Sequence, residues 1–114
     1  MYPRRVVVTG IGMLTPVGIG KEDCWNALLA GKSGVSHITQ FDPDEIGLDV
    51  KIAAEVKNFN IQDYYPDRKK WASMIKQMDR VTLFSMVASK LVLEDASLEI
   101  RKINPERVGT FIGT

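Results

Sequence analysis

The sequence has little of the side-chain chemistry on which metalloproteins and disulfide-rich proteins depend. It contains a single cysteine, Cys24, and a single histidine, His37, among 114 residues. One cysteine excludes an internal disulfide framework and a cysteine-rich zinc site, and one histidine leaves little for other metal ligation. We therefore expect no bound metal, and a reducing cytoplasm is the compartment that fits this cysteine content.

Neither an excess of one charge nor a long hydrophobic run is present. Fifteen lysines and arginines oppose 14 aspartates and glutamates, which gives a net charge of +1. The overall charge therefore predicts neither nucleic-acid nor membrane binding, and any electrostatic partner must meet a local patch. The apolar run that follows Arg4 and Arg5 is too short and interrupted for a signal peptide or a membrane span. We expect a soluble, unprocessed protein.

The most informative part of the sequence is a valine run that leads into glycines. Residues 6–8 are consecutive valines, which is typical of a strand covered on both faces of a sheet. Gly10 and Gly12 then allow positive φ or close backbone approach, and Pro16 stops any early helix. Residues 107–113 form a similar apolar run that ends in glycine, and they predict a second buried strand.

A short helix is predicted soon after the first strand, with Glu22 and Asp23 in its first turn and residues 24–30 following. Trp25, Leu28 and Leu29 lie at positions i, i+3 and i+4, which predicts that they form its apolar face. Gly31 stands where a C-terminal cap belongs.

Two longer patterns fill the middle of the chain. Residues 51–57 alternate in period two, with Ile52, Ala54 and Val56 on one face, as in a strand at an edge or surface. Residues 79–96 carry apolar side chains at helical spacing and form the strongest predicted helix. Strand, helices and strand at this separation predict a right-handed crossover between parallel strands, hence an α/β fold.

Short motifs in a fixed order connect the sequence to a known family. They are residues 6–12, 15–18, the helix around Trp25 that ends in 28–31, and residues 33–35, 41–42, 59–60, 78–80, 93–96, 107–109 and 112–114. In this order they resemble the N-terminal part of the β-ketoacyl-acyl-carrier-protein synthases. These are the condensing enzymes of fatty acid and polyketide synthesis, which have a thiolase-like fold.

The resemblance implies that residues 1–114 are the first, incomplete part of the N-terminal half of a thiolase-like α/β fold. It implies decarboxylative condensation of an acyl thioester with malonyl-carrier protein, by an enzyme that is a homodimer when complete and whose partner is acyl carrier protein. The family's catalytic cysteine and two histidines lie in parts of the family that these residues do not match. We therefore predict no catalytic residue here and no activity for the segment alone. A non-catalytic partner or a carrier-protein-binding fragment is the second hypothesis.

Cys24 and His37 are not predicted to be catalytic. Cys24 lies in the predicted helix between Asp23 and Trp25, where neighbouring carboxylates favour the neutral thiol over the nucleophilic thiolate. His37 stands in a predicted loop, residues 33–49, and lacks the partner that makes a general base credible.

The glycine turn has an alternative interpretation. A glycine pair after an apolar strand also resembles the start of a dinucleotide-binding fingerprint. Thr15 replaces the third glycine, however, and Pro16 stands where the helix should run. No acidic residue ends a clear second strand about twenty residues later, as ribose recognition requires. A nucleotide-binding module is thus the third hypothesis, and no cofactor is expected.

One local segment has a predicted binding role. Residues 67–80 contain five basic and two acidic side chains. The resemblance implies that acidic carrier proteins dock on basic residues just before the long helix, and Lys76, two residues before Met78, is the best match. The alternative is an ordinary solvated charge run. The candidate docking residues are Arg68, Lys69, Lys70, Lys76 and Arg80.

Overall fold

The computed structural model describes residues 3–113, without the side chain of Arg68. Its elements are β1 (Leu14–Thr15), β2 (Gly18–Ile19), α1 (Lys21–Leu29), β3 (Val35–His37), β4 (Ile52–Ala54), α2 (Arg68–Ile75) and α3 (Arg80–Asp95). Single 3-10 turns lie at Ile61–Asp63, Ile100–Lys102 and Pro105–Arg107. β1 pairs antiparallel with β2, and β3 pairs antiparallel with β4.

The strongest predicted helix is confirmed almost residue for residue by α3. Asp79 caps its first turn, because the Asp79 carboxylate accepts a hydrogen bond from the Thr82 backbone N–H at 2.8 Å. This hydrogen bonding to Thr82 also lowers the pKa of Asp79. Ala96 ends the helix, and Val87 in its middle is fully buried.

The predicted end of the first helix is also confirmed. Gly31 has a φ of 64°, a left-handed conformation that glycine adopts without a steric penalty. Its N–H donates to the Leu28 carbonyl, and the Lys32 N–H donates to the Ala27 carbonyl, both at 3.0 Å. This pair of bonds is the Schellman arrangement, which satisfies the last carbonyls of α1.

The predicted apolar face of α1 is wrong. Trp25, Leu28 and Leu29 are 59%, 58% and 67% exposed, whereas Cys24 and Ala27 are the buried residues of the helix. The reason is the closeness of the β1–β2 hairpin, where a Cβ added to Gly18 would lie 2.9 Å from the backbone of Asp23. Only small side chains fit at so close a contact.

The predicted strand over residues 51–57 is shorter and faces the other way. β4 covers three residues, of which Ile52 and Ala54 are exposed and Ala53 is half-buried. Its surface location is confirmed, because β4 pairs within residues 3–113 only with β3. The loop predicted over residues 33–49 is wrong at Val35–His37, because these residues form β3 by pairing with β4.

Neither predicted buried strand forms. Val6, Val7 and Val8 are 92%, 68% and 83% exposed, and residues 107–113 continue from a 3-10 turn into irregular backbone. A strand requires a hydrogen-bonded neighbour, and within the described residues neither segment is paired into a sheet. The predicted parallel crossover is therefore absent from residues 3–113.

Close backbone approach, rather than positive φ, explains the two glycines of residues 10–12, which we call the opening segment. A Cβ added at Gly12 would lie 2.2 Å from the Ala88 carbonyl oxygen, and one added at Gly10 would lie 2.6 Å from that of Val92. Real Cβ atoms do not come so near a carbonyl, so residues 10–12 lie directly on the backbone of α3.

Asp95, the last residue of α3, also holds residues 10–12 against that helix. Its carboxylate accepts the Ile11 backbone N–H at 2.9 Å and forms an ion pair with Lys21 at the start of α1. The hydrogen bonds from Lys21 and Ile11 lower the pKa of Asp95, and the bond to Asp95 raises the pKa of Lys21. One carboxylate thus joins the opening segment, α1 and α3.

Asp95 is expected to make stability depend on pH at both extremes. Its stabilising effect is complete above its ordinary pKa of 3.8 and is lost as pH falls through the lower folded value. The raised pKa of Lys21 stabilises below its ordinary value of 10.5, and this effect is lost as pH rises through the folded value. Asp95→Asn should therefore lower the thermal midpoint at pH 7 and make its fall below pH 4 shallower. Glu106→Gln, at an exposed carboxylate, is the control; parallel curves for Asp95→Asn and wild type would contradict the assignment.

Among residues 3–113, no helix combines the length and apolar character needed to cross a bilayer.

Candidate functional site

The basic segment forms a helix that the sequence patterns did not reveal. α2 begins after Asp67, whose carboxylate accepts the Lys70 backbone N–H at 3.2 Å, and ends at Lys76. Asp67 before a run without glycine or proline is the signal that could have predicted it. Two residues then lead to Asp79, the cap of α3. The candidate docking residues therefore lie on α2, at its C-terminal cap and at the start of α3.

The described lysines of this segment are exposed and two of them share a face. Lys69 and Lys76 are seven residues apart, which places them on the same side of a helix, about 10 Å along its axis. Trp71 and Ile75 are half-buried and four residues apart, on the opposite side. α2 thus turns its apolar side inward and presents Lys69 and Lys76 outward. The side chain of Arg68 lies outside the described part of the structure.

Ring contacts attach the inner side of α2 to α3. Trp71 packs edge-on against Tyr65, with ring centroids 5.3 Å apart, and Lys70 Nζ lies 4.9 Å from the Trp71 centroid. The Tyr65 hydroxyl donates a hydrogen bond to the Met86 carbonyl at 3.1 Å, and burial raises the pKa of Tyr65. The lysines of α2 are therefore carried by a helix that is packed, rather than by a free loop.

Arg80 differs from the lysines in its surroundings. Its Nη2 donates to the Val56 carbonyl at 2.5 Å, and its guanidinium lies 4.9 Å from the Phe84 ring centroid and 6.0 Å from that of Phe59. Phe59 and Phe84 pack edge-on, 4.8 Å apart. Arg80 thus contacts a backbone carbonyl and two rings.

Cys24 and His37 occupy very different environments. Cys24 is 1% exposed, and its Sγ donates to the Gly18 carbonyl at 3.0 Å and lies 3.2 Å from Thr15 Oγ1. These are contacts of a structural thiol between α1 and the β1–β2 hairpin, because a nucleophile requires access and a nearby base or cation. His37 is exposed at the end of β3.

The glycine turn lacks the geometry of a dinucleotide site. Gly10 and Gly12 face the backbone of α3, and the β1–β2 hairpin separates them from the start of α1 at Lys21. A pyrophosphate site needs glycines that lead directly into a helix N-terminus. Within residues 3–113, no group of three or more histidine, cysteine, aspartate or glutamate side chains is arranged to hold a metal ion.

Comparison with known proteins gives one consistent result. Residues 3–114 match the family described as "Beta-ketoacyl synthase, N-terminal domain". The 3-oxoacyl-[acyl-carrier-protein] synthase 2 of Coxiella burnetii (strain RSA 493 / Nine Mile phase I) is 41% identical over 114 residues, 100% of this chain and 26% of that protein. The protein of the same name from Staphylococcus aureus (strain COL) is 37% identical over 111 residues, 97% of this chain and 25% of that protein.

A solved structure is similar in fold as well. The ishigamide ketosynthase/chain length factor superposes with a TM-score of 0.68 and 30% sequence identity, over 88% of this chain and 23% of that one. The chain spans about a quarter of the length of the curated relatives it matches.

Proposed function

Because this chain belongs to the β-ketoacyl synthase family, through the N-terminal domain of that family, we propose that it forms part of a 3-oxoacyl-[acyl-carrier-protein] synthase. The proposed reaction is the decarboxylative condensation of an acyl thioester with malonyl-carrier protein, in fatty acid or polyketide synthesis. The observation that carries the proposal is the 41% identity, over all 114 residues, to a protein of that name. We place the complete enzyme in the cytoplasm as a homodimer.

The predicted thiolase-like α/β fold class is confirmed by the ketosynthase structure that this chain resembles. Within the proposed enzyme, residues 3–113 supply scaffold rather than reacting groups. The support is chemical, since decarboxylative condensation requires an accessible, activated thiol and Cys24 is buried between α1 and β2. A non-catalytic partner or carrier-binding fragment is the second candidate, favoured by the same inaccessible thiol.

The second part of the proposal concerns the basic residues of α2 and its cap. We assign carrier-protein docking to Arg68, Lys69, Lys70 and Lys76, which we call the docking surface, with Arg80 beside it at the start of α3. The supporting observation is that α2 is packed by Trp71 and directs Lys69 and Lys76 to the opposite side. An acidic carrier protein would meet these positive charges without first ordering a loop.

Charge reversal on this face tests the docking role. In a synthase that carries this segment, Lys69→Glu together with Lys76→Glu should weaken binding of an acidic acyl carrier protein about ten-fold or more at low salt. The loss should shrink as salt rises, because exposed charges are screened. The measurement is carrier affinity by titration over a series of salt concentrations.

The matched control is Lys32→Glu, the same change at an exposed lysine outside the basic segment. It should leave carrier affinity within about two-fold of wild type, since Lys32 lies outside residues 67–80 and the effect of an exposed charge that does not contact the partner is screened by salt. Unchanged affinity in the Lys69 and Lys76 double variant at low salt would reject docking on α2 and leave an ordinary solvated helix face.

A further inference from the structure

Arg80 is set apart from the lysines of the docking surface by the contacts that its guanidinium makes. It combines a 2.5 Å hydrogen bond to the Val56 carbonyl with the faces of Phe84 and Phe59. A planar guanidinium suits this combination, because it donates in its plane and stacks through its faces at once. Arg80 is exposed, but its guanidinium is held by these contacts with the protein itself.

These contacts join two separate parts of the chain. Val56 and Phe59 lie after β4, whereas Arg80 and Phe84 lie in the first two turns of α3. The hydrogen bond from Arg80 to Val56 spans 24 positions of sequence. Arg80 therefore fixes the start of α3 against the segment over residues 56–59, which we call the anchor.

The link between Arg80 and the docking surface is short and hydrogen-bonded. The Gln77 N–H donates to the Met74 carbonyl at 3.1 Å, and the Met78 N–H donates to the Ile75 carbonyl at 3.2 Å. Asp79 then caps α3. Lys76 is only four residues before Arg80, so a change in where α3 begins is passed to Lys76 through a link with little freedom.

We infer that Arg80 is a positioning residue, which holds Lys76 and the end of α2 in place for the carrier protein and does not itself contact that partner. This inference rests on the proposed docking function. It separates two roles that the charge pattern alone merges: the lysines of α2 attract the acidic partner, and Arg80 fixes the geometry in which they do so. The two roles leave different signatures in salt dependence and in coupling between substitutions.

The decisive variant is Arg80→Met, which removes the charge and keeps an unbranched side chain. In a synthase that carries this segment, it should weaken binding of an acidic acyl carrier protein about five-fold, the size of a typical coupling between neighbouring residues. The slope of log affinity against log salt should remain that of wild type. In a Lys76→Gln background the same substitution should have little further effect, because the residue being positioned is already altered.

A second variant keeps every charge. Phe59→Leu removes a ring beneath Arg80 and should weaken carrier binding in the same direction, again without change in the salt slope. Phe41→Leu is the matched control at a half-exposed phenylalanine outside the anchor, and it should leave affinity unchanged. Thermal midpoints of all variants show whether any has simply unfolded; if Arg80→Met does not fold, Phe59→Leu decides.

The outcomes separate this inference from the proposal beneath it. If wild type fails to bind the carrier, or if Lys76→Gln leaves carrier affinity unchanged, docking on α2 is wrong and the positioning role is wrong as well. A different result would keep docking but make Arg80 a direct contact. In that case Lys76→Gln weakens binding, Arg80→Met lowers the salt slope, and the losses of affinity from the two substitutions add fully. Unchanged affinity in Phe59→Leu would likewise overturn the positioning role.

Discussion

Purified by itself, the 114-residue chain is expected to form no β-ketoacyl product from an acyl thioester and malonyl-carrier protein. Condensation needs a thiolate that carries the acyl group and donors that stabilise the oxyanion. The thiol of Cys24 is buried and bonded to the Gly18 carbonyl, and its Sγ lies beside Thr15 Oγ1. Mass spectrometry of the reaction mixture, with a complete synthase as the positive control, measures the result. Product formed by the chain alone would contradict the scaffold role.

A companion variant tests the assignment of Cys24 inside a complete enzyme. Cys24→Ala, in a synthase that carries this segment, should retain condensing activity and lose about 1 kcal/mol of stability from the vacated volume. A variant that keeps the wild-type thermal midpoint but loses activity would show that this thiol takes part in the reaction after all.

Gly12→Ala is expected to be the most destabilising of the small substitutions. The added Cβ would lie 2.2 Å from the Ala88 carbonyl oxygen and 2.8 Å from the Val92 backbone nitrogen. Both atoms belong to the backbone of α3, which cannot rotate aside as a side chain would. Relief requires that the opening segment move away from the helix, at a cost of about 1–3 kcal/mol or more.

The matched control for this substitution is Gly113→Ala. No atom of the described residues lies within 4 Å of a Cβ added there, and Gly113 does not have a left-handed φ. Its thermal midpoint should therefore stay close to that of wild type, within the range of ordinary surface changes of about 0.5 kcal/mol. Equal midpoints for Gly12→Ala and Gly113→Ala would mean that the opening segment does not rest on α3.

Local signals predicted the elements whose ends are fixed by local bonds. α3 begins at the Asp79 cap, and α1 ends at Gly31, because these residues satisfy the orphan backbone groups of their own helices. Which side chains a helix buries depends instead on the element that packs against it. The spacing of Trp25 and Leu28 gave an apolar face, but the nearness of the β1–β2 hairpin decided that small residues are the buried ones.

The valines at residues 6–8 show the same limit of local sequence signals, here for a strand. Their composition indicates a strand, but a strand forms only with a hydrogen-bonded neighbour, and none is paired with them within residues 3–113. A sequence pattern indicates which secondary structure a segment prefers, but it does not identify the strand with which that segment would pair.

The charge pattern locates the candidate site, and the structure distinguishes its residues from one another. Counting basic residues located the segment, but it grouped Arg80 with Lys69 and Lys76. The carbonyl and ring that distinguish Arg80 belong to Val56 and Phe59, more than twenty positions earlier. Such a contact is set by tertiary folding, so no count of charges along residues 67–80 could separate the lysines of α2 from an arginine that contacts a carbonyl and two rings.

The contacts of Asp95 determine the order in which parts of the protein can fold during synthesis. Its partners, Ile11 and Lys21, precede it by 84 and 74 positions. A ribosome adds roughly 5–20 residues per second, so the opening segment waits on the order of 4–17 s for the end of α3 to be synthesised. Throughout that interval Gly10 and Gly12 have no helix backbone to pack against, so residues 10–12 reach their final contacts only after the end of α3 has been made.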